Sequence, residues 1–226
     1  MDATSITLWL VLLLSVLLIA ALIRRRAKLK QQVKTQGFSG SPASVEPDNP
    51  VPFGYKCAWY AVQNADVEQL VRLIGLKKPR RTTWLEGIEA AYGKSVFVSP
   101  AVDGWCFVVG ARLVAAQAPS ISGEIRPTLQ RLSSELGTVC FFATHRVVEL
   151  HIWAKAADGQ VLRAYAYHGE TGEVVWNEGK PTPEEVNVLG NVDEDAVMAI
   201  ARAWSIAPVD LDTIKAEPSL GMLGTL

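Results

Sequence analysis

The three histidines of this 226-residue chain, His145, His151 and His168, fall in one stretch together with Glu149 and Glu173. Two or three imidazoles with a carboxylate can hold a divalent metal or perform acid–base chemistry. On that basis His145, His151, His168 and Glu149 are candidate ligands of a metal-dependent hydrolase. No helix-type His-x-x-x-His or Cys-x-x-Cys spacing supports a metal, however. The competing interpretation is a solvated sheet face carrying Glu–His cross-strand pairs.

The geometry depends on the elements that position these residues. Residues 139–178 read as three antiparallel strands joined by two tight turns. Asp158-Gly159 lies between runs of β-formers, and Asp-Gly suits a type I′ turn, which needs φ > 0 at both central positions. With Ala157 facing Gln160, the pairing sets His151 opposite Ala166 and Glu149 opposite His168. A second turn over residues 169–172 sets Glu173 opposite His168. Side chains alternate along a strand. One face then carries Val147, Glu149, His151, Trp153, Ala164, Ala166, His168, Glu173 and Val175. The other, more core-like, carries Val148, Leu150, Ile152, Tyr165, Tyr167, Val174 and Trp176. A slip of one residue would undo this map.

Residues 6–23 are apolar apart from one Thr and one Ser, and the basic run Arg24-Arg25-Arg26, Lys28 and Lys30 follows. Eighteen residues at about 1.5 Å each just span a hydrocarbon core of about 30 Å. The charge lies after the apolar run, the reverse of a cleavable leader. Residues 1–30 therefore read as a transmembrane anchor with a basic stop. The excess of Lys and Arg after the span puts the domain on the cytoplasmic side of the membrane, with a periplasmic domain as the alternative. Residues 31–52, rich in Gly, Ser, Pro and Gln, read as a flexible tether.

Residues 53–208 read as one globular domain, with the option of two lobes and a cleft, and 209–226 as a loose tail. Six basic and three acidic residues precede Phe53, which leaves 16 and 20, a net charge near −4. That balance gives no footprint for nucleic acid. Lys77, Lys78, Arg80 and Arg81 read as a basic loop around Pro79. A strand over 55–62 precedes a helix begun by Asn64, with Val67, Leu70, Val71 and Ile74 inward and Gly75 as its stop. Thr83 and Glu86 have capping-box spacing, for a short helix with Leu85, Ile88 and Tyr92 inward. Residues 95–99 and 105–110 read as strands, Pro127 as the first residue of a third helix, and Asp193 as the cap of the last. Strands thus come in hairpins rather than in β-α-β alternation. The fold class is α+β, a mostly antiparallel sheet with about four helices, preceded by one N-terminal transmembrane helix.

Other chemistry is sparse. Cys57, Cys106 and Cys140 are odd in number and widely spaced, which gives neither a disulfide framework nor a zinc pattern. They read as buried reduced thiols. No nucleophile elbow, P-loop or dinucleotide fingerprint occurs, and nothing calls for a cofactor. Cys140 and His145 would point to opposite faces of one strand, poor geometry for a nucleophile and its base. The candidate partner-binding set is therefore Glu149, His151, Trp153, His168 and Glu173, with Asp103 and Trp105 at a loop-to-strand entry. Trp153, placed on the polar face, is the leading recognition residue, since Trp, Tyr and Arg dominate interface energy.

Three runs carry a resemblance: Val102 to Trp105 (VDGW), His145 to Trp153 (HRVVELHIW) and Arg163 to Asn177 (RAYAYHGETGEVVWN). Together they resemble a family of bacterial proteins with no assigned activity, found near polymorphic-toxin and secretion loci, over roughly residues 55–205. The anchor joined to an α+β domain is also similar to immunity proteins that neutralise type VI secretion effectors. The resemblance implies no catalytic residues. Its expectation is a non-enzymatic binding protein in a bacterial inner membrane, with a protein partner such as a secreted toxin and a lipid contact through residues 6–23. The rival expectations are the metal-dependent hydrolase and an envelope scaffold or ligand sensor.

Overall fold

The central strands of this protein are apolar on both faces, which is what a sheet buried between two helical layers requires. In β1 (Ala58–Gln63), Ala58, Tyr60 and Val62 enter one core while Trp59 and Ala61 enter another. The structure is a computed structural model and describes residues 45–115 and 119–226. Its other strands are β2 (Lys77–Thr82), β3 (Val96–Val98), β4 (Trp105–Gly110), β5 (Val139–His145), β6 (Leu150–Ala157), β7 (Gln160–His168), β8 (Glu173–Glu178) and β9 (Gly221–Thr225). They form a nine-stranded sheet in the order β2-β9-β3-β4-β1-β5-β6-β7-β8, and every pairing is antiparallel.

Helices α1 (Val67–Ile74) and α3 (Ile121–Leu136) cover one face, through Leu70, Val71 and Ile74 and through Ile121, Ile125, Leu129 and Leu132. Helices α2 (Trp84–Ala91) and α4 (Glu194–Trp204) cover the other, with Trp84, Ile88, Val197, Ile200, Ala201 and Trp204. The fold is α+β as expected, with four α-helices among the described residues and two 3-10 turns, Pro183–Asn187 and Pro208–Thr213. The expected span, residues 6–23, lies outside the described residues. No helix among those described is long and apolar enough to cross a membrane.

Several expectations are corrected. The two halves are not separate lobes, because β1 joins β4 and β5 in one sheet. The tail is not loose: β9 inserts between β2 and β3, and Lys77 to Thr82 is a strand, not a loop. Gly221 packs against Phe97, where any Cβ would overlap the ring. The last residues of the expected tether are also folded. Asp48 accepts hydrogen bonds from the amides of Trp84 (2.6 Å) and Leu85 (3.0 Å), capping α2 from a distance.

Helix boundaries shift for local reasons. Asp66, not Asn64, caps α1 through the Gln69 amide at 2.8 Å, while Gly75 ends it at φ 75°, as expected. In α2 the buried positions are Trp84, Gly87, Ile88 and Ala91, and Leu85 and Tyr92 are exposed. Helix α3 starts six residues before Pro127, capped by Ser120, because Ile121 and Ile125 continue the buried stripe. Burial of those side chains offsets the backbone bond that the proline cannot donate.

Candidate functional site

The site grows from the registers of β5, β6, β7 and β8. Asp158 (φ 49°) and Gly159 (φ 76°) both take positive φ, so the expected turn forms and Ala157 faces Gln160. The register then shifts. Ala156 pairs with Val161 but Lys155 pairs with Arg163, which leaves Leu162 as an extra, exposed residue. Beyond this bulge His151 faces Tyr167, not Ala166, and Leu150 rather than Glu149 faces His168. Glu173 does face His168. The region holds four strands rather than three, because Arg146 to Glu149 break it as a turn, with Glu149 at φ 48°.

The consequence is a different set of neighbours. His145, Leu150 and His168 share one face, whereas Thr144, His151 and Tyr167 share the other. The three imidazoles therefore do not converge, and the described residues contain no group of three or more His, Cys, Asp or Glu side chains placed to hold a metal. His145 is half-buried beside Cys57 and Leu150, with its Nδ1 buried and unpartnered. Glu173 is exposed beside the Thr171 hydroxyl. Asp103, exposed at φ 46°, and the half-buried Trp105 belong to a turn closed by the Val102–Trp105 backbone pair, and neither lines the cleft described next.

Trp153 is wholly buried and is not a contact residue. Its indole N–H donates to Glu185 at 2.7 Å and its ring stacks on Tyr165 at 4.8 Å. Glu185, itself wholly buried, also receives the Arg163 guanidinium at 2.8 Å and the Thr182 amide at 2.6 Å. Burial pushes the Glu185 carboxyl up, but these donors, Arg163 foremost, outweigh it and hold the group below its ordinary value. The pair pins the 179–192 loop to the sheet. The opposite charges and the saturated hydrogen bonds make so buried a pair tolerable.

That loop and the start of α4 form the wall of a cleft of about 670 Å³ over the ends of β6 and β7. Its floor is His151 with Tyr165 and Tyr167, and its rim includes Tyr55, Arg146 and Glu149. Asp193, Glu194 and Asp195 line the helix side. Asp193 caps α4 through the Ala196 amide at 2.9 Å and accepts from Asn191 at 2.6 Å. The Tyr55 hydroxyl donates to Asp195 at 3.4 Å, and its phenol is raised by burial and then by that carboxylate.

His151 is the buried ionisable group of the floor, only 4% exposed. Its Nδ1 lies 3.2 Å from the Thr144 hydroxyl, which lies 3.4 Å from Glu194 Oε1. A carboxylate only accepts, so the single hydroxyl proton of Thr144 goes to Glu194. Thr144 must then accept from His151 Nδ1–H, which leaves Nε2 as a bare acceptor. Burial lowers the His151 pKa and keeps the imidazole neutral near pH 7. Arg146 pairs with Glu194 through its Nε at 2.9 Å.

This order does not make a nucleophile. In a triad the base stands between the nucleophile and the orienting carboxylate. Here the hydroxyl stands in the middle, and Thr144 is 1% exposed. Burial holds the thiols of Cys57 and Cys140 up to about 12, and Cys106 up to about 11; all three are free and buried. What the cleft presents is imidazole and carboxylate acceptors beside tyrosine side chains.

Of the residues expected to bind a partner, Glu149 and His151 are in the cleft. The tyrosines, Arg146 and the acidic start of α4 were not legible as site residues. Asp193, Glu194 and Asp195 carry the ordinary signature of a helix N-terminus, and Tyr165 and Tyr167 reach this face only through the bulge at Leu162. No protein-family model, no curated protein and no solved structure matches the chain.

Proposed function

We propose that this chain is a binding protein that neutralises a protein partner, a secreted bacterial toxin of the type VI effector class, with the cleft over His151 as its recognition site. The observation that carries the reading is the composition of that cleft: tyrosines and carboxylates at an open mouth, around a buried imidazole whose hydroxyl neighbour cannot reach a substrate. Tyrosine supplies rigid, amphipathic contact area, and an acidic rim steers a basic partner. The resemblance of residues 55–205 to domains found near toxin loci supports the same reading. The apolar run at 6–23 followed by five basic residues supports an anchor in the bacterial inner membrane with the domain on the cytoplasmic side.

The test is co-expression with the toxin-like genes that neighbour this one, together with affinity capture of the full chain in mild detergent. The reading expects one neighbour to be toxic alone, harmless with the intact chain, and captured in equal amount. Absence of both protection and capture would overturn it. Reporter fusions to the C-terminal end would report a cytoplasmic domain.

A further inference from the structure

We propose that the cleft takes a cationic nitrogen group, a guanidinium or alkylammonium side chain presented by a protein partner, with His151 Nε2 and Glu149 as its acceptors. The inference rests on the binding-protein reading and names the chemistry of its site. Two independent observations lead to it. The first is charge. Glu149, Asp193, Glu194 and Asp195 face a single cation, Arg146, so the cleft carries a net −3 with His151 neutral. Asp193 and Glu194 are already engaged by the helix amide, Asn191, Arg146 and Thr144. Glu149 makes no such bond among the described residues, and its side chain is held at the mouth by the turn at φ 48°.

The second observation is the tautomer. The Glu194–Thr144–His151 chain fixes the proton on Nδ1 and turns a lone pair, on a side chain 96% buried by its 4% exposure, toward the cleft. Nε2 has no partner among the described residues. Nε2 is not among the buried polar atoms left without a partner, so its lone pair is open to the cleft, where a ligand N–H can take the place of water. An anion or a carbonyl oxygen could not, since neither donates. The floor fits the same ligand. Tyr167 presents an aromatic ring, and a cation against a ring face is attracted by the ring quadrupole, whereas Tyr165 is already stacked on Trp153. A planar guanidinium can lie along a ring and still donate from its edge to a carboxylate and an imidazole.

The experiment uses the full chain in detergent micelles and N-acetylarginine methylamide as the probe, with N-acetylglutamate methylamide as the control. Imidazole 15N–1H correlations separate the three histidines, and a titration reads each one. The expected result is a saturable shift of His151 Nε2 with the arginine probe, none with the glutamate probe, and no change at His145 or His168. Glu149→Gln, at an exposed position, should weaken the apparent affinity about tenfold with the fold intact. His151→Gln keeps an acceptor and should bind more weakly; if it misfolds, Glu149→Gln still decides. Equal response to both probes, or no saturable shift, would overturn the inference. If a toxin is captured but is neither displaced by the arginine probe nor weakened by Glu149→Gln, the binding reading stands and this inference fails. If the probe binds but no protein partner is captured, the cation site stands and the partner reading fails.

Discussion

Arg163 and Glu185 are 2% and 0% exposed in their side chains and share their charge with Trp153, Asn177 and the backbone around Glu178. Removing one partner strands the other. Glu185→Ala should cost about 3–5 kcal/mol in denaturant unfolding. An apolar replacement of both, Arg163→Met with Glu185→Leu, should recover much of that loss, because no charge is left buried alone. The same pair predicts acid sensitivity. The folded Glu185 carboxyl lies below its ordinary value of 4.5, so its contribution is full above that value and is lost as pH falls below it. His151 acts in a higher window. Its pKa is lowered by burial, against the opposing pull of Glu194, Asp193 and Glu149. The unfolded state therefore binds more protons, and the His151 contribution falls as pH drops below 6.5 toward the folded value. Unfolding measured from pH 7.5 to 5 should show this slope in the wild type, and His151→Gln should flatten it. Arg146, Tyr55, Tyr165, Tyr167 and Asp195 also face the imidazole.

At the level of elements, the chain is most legible where a local signal fixes the backbone. Asp158-Gly159, Gly75 and Asp193 all act as their sequence implies, since each determines a φ angle or a helix end without distant help. The bulge at Leu162 has no such mark, and it alone exchanges Ala166 for Tyr167 opposite His151. Helix α2 shows how distant help changes a boundary. Its two first amides are held by Asp48, 36 and 37 residues away in sequence. A chain starting at Phe53 should therefore lose about 0.5–2 kcal/mol relative to one starting at Val45, and Asp48→Ala in the full chain should lose a similar amount. Circular dichroism melting of the variants checks both. Phe97 sets a second constraint, lying between Gly87 of α2 and Gly221 of β9. Gly87→Ala should destabilise by about 1–3 kcal/mol, because the new Cβ overlaps the ring rather than filling space. Phe97→Leu in the same background should relieve part of that loss.

Across the whole molecule, fold class was readable because apolar periodicity and hairpin turns are short-range. The sheet order was not, because β9, with two glycines in five residues, has little strand character of its own. Its state is set by β2 and β3 on either side. The cleft was hidden for a like reason: Tyr55, Glu149 and Asp195 meet only after the sheet and α4 have assembled. That placement of β9 also orders events in time. During synthesis β2 and β3 leave the ribosome long before their shared neighbour, with 139 residues from Thr82 to Gly221. At about 5–20 residues per second, the delay is roughly 7–28 s. For that interval two strand edges face solvent unpaired, and the nascent chain is a substrate for chaperones and an invitation to mispairing. A ribosome stalled before Gly221 would hold the protein in this open form, and release of β9 would close the gap between β2 and β3.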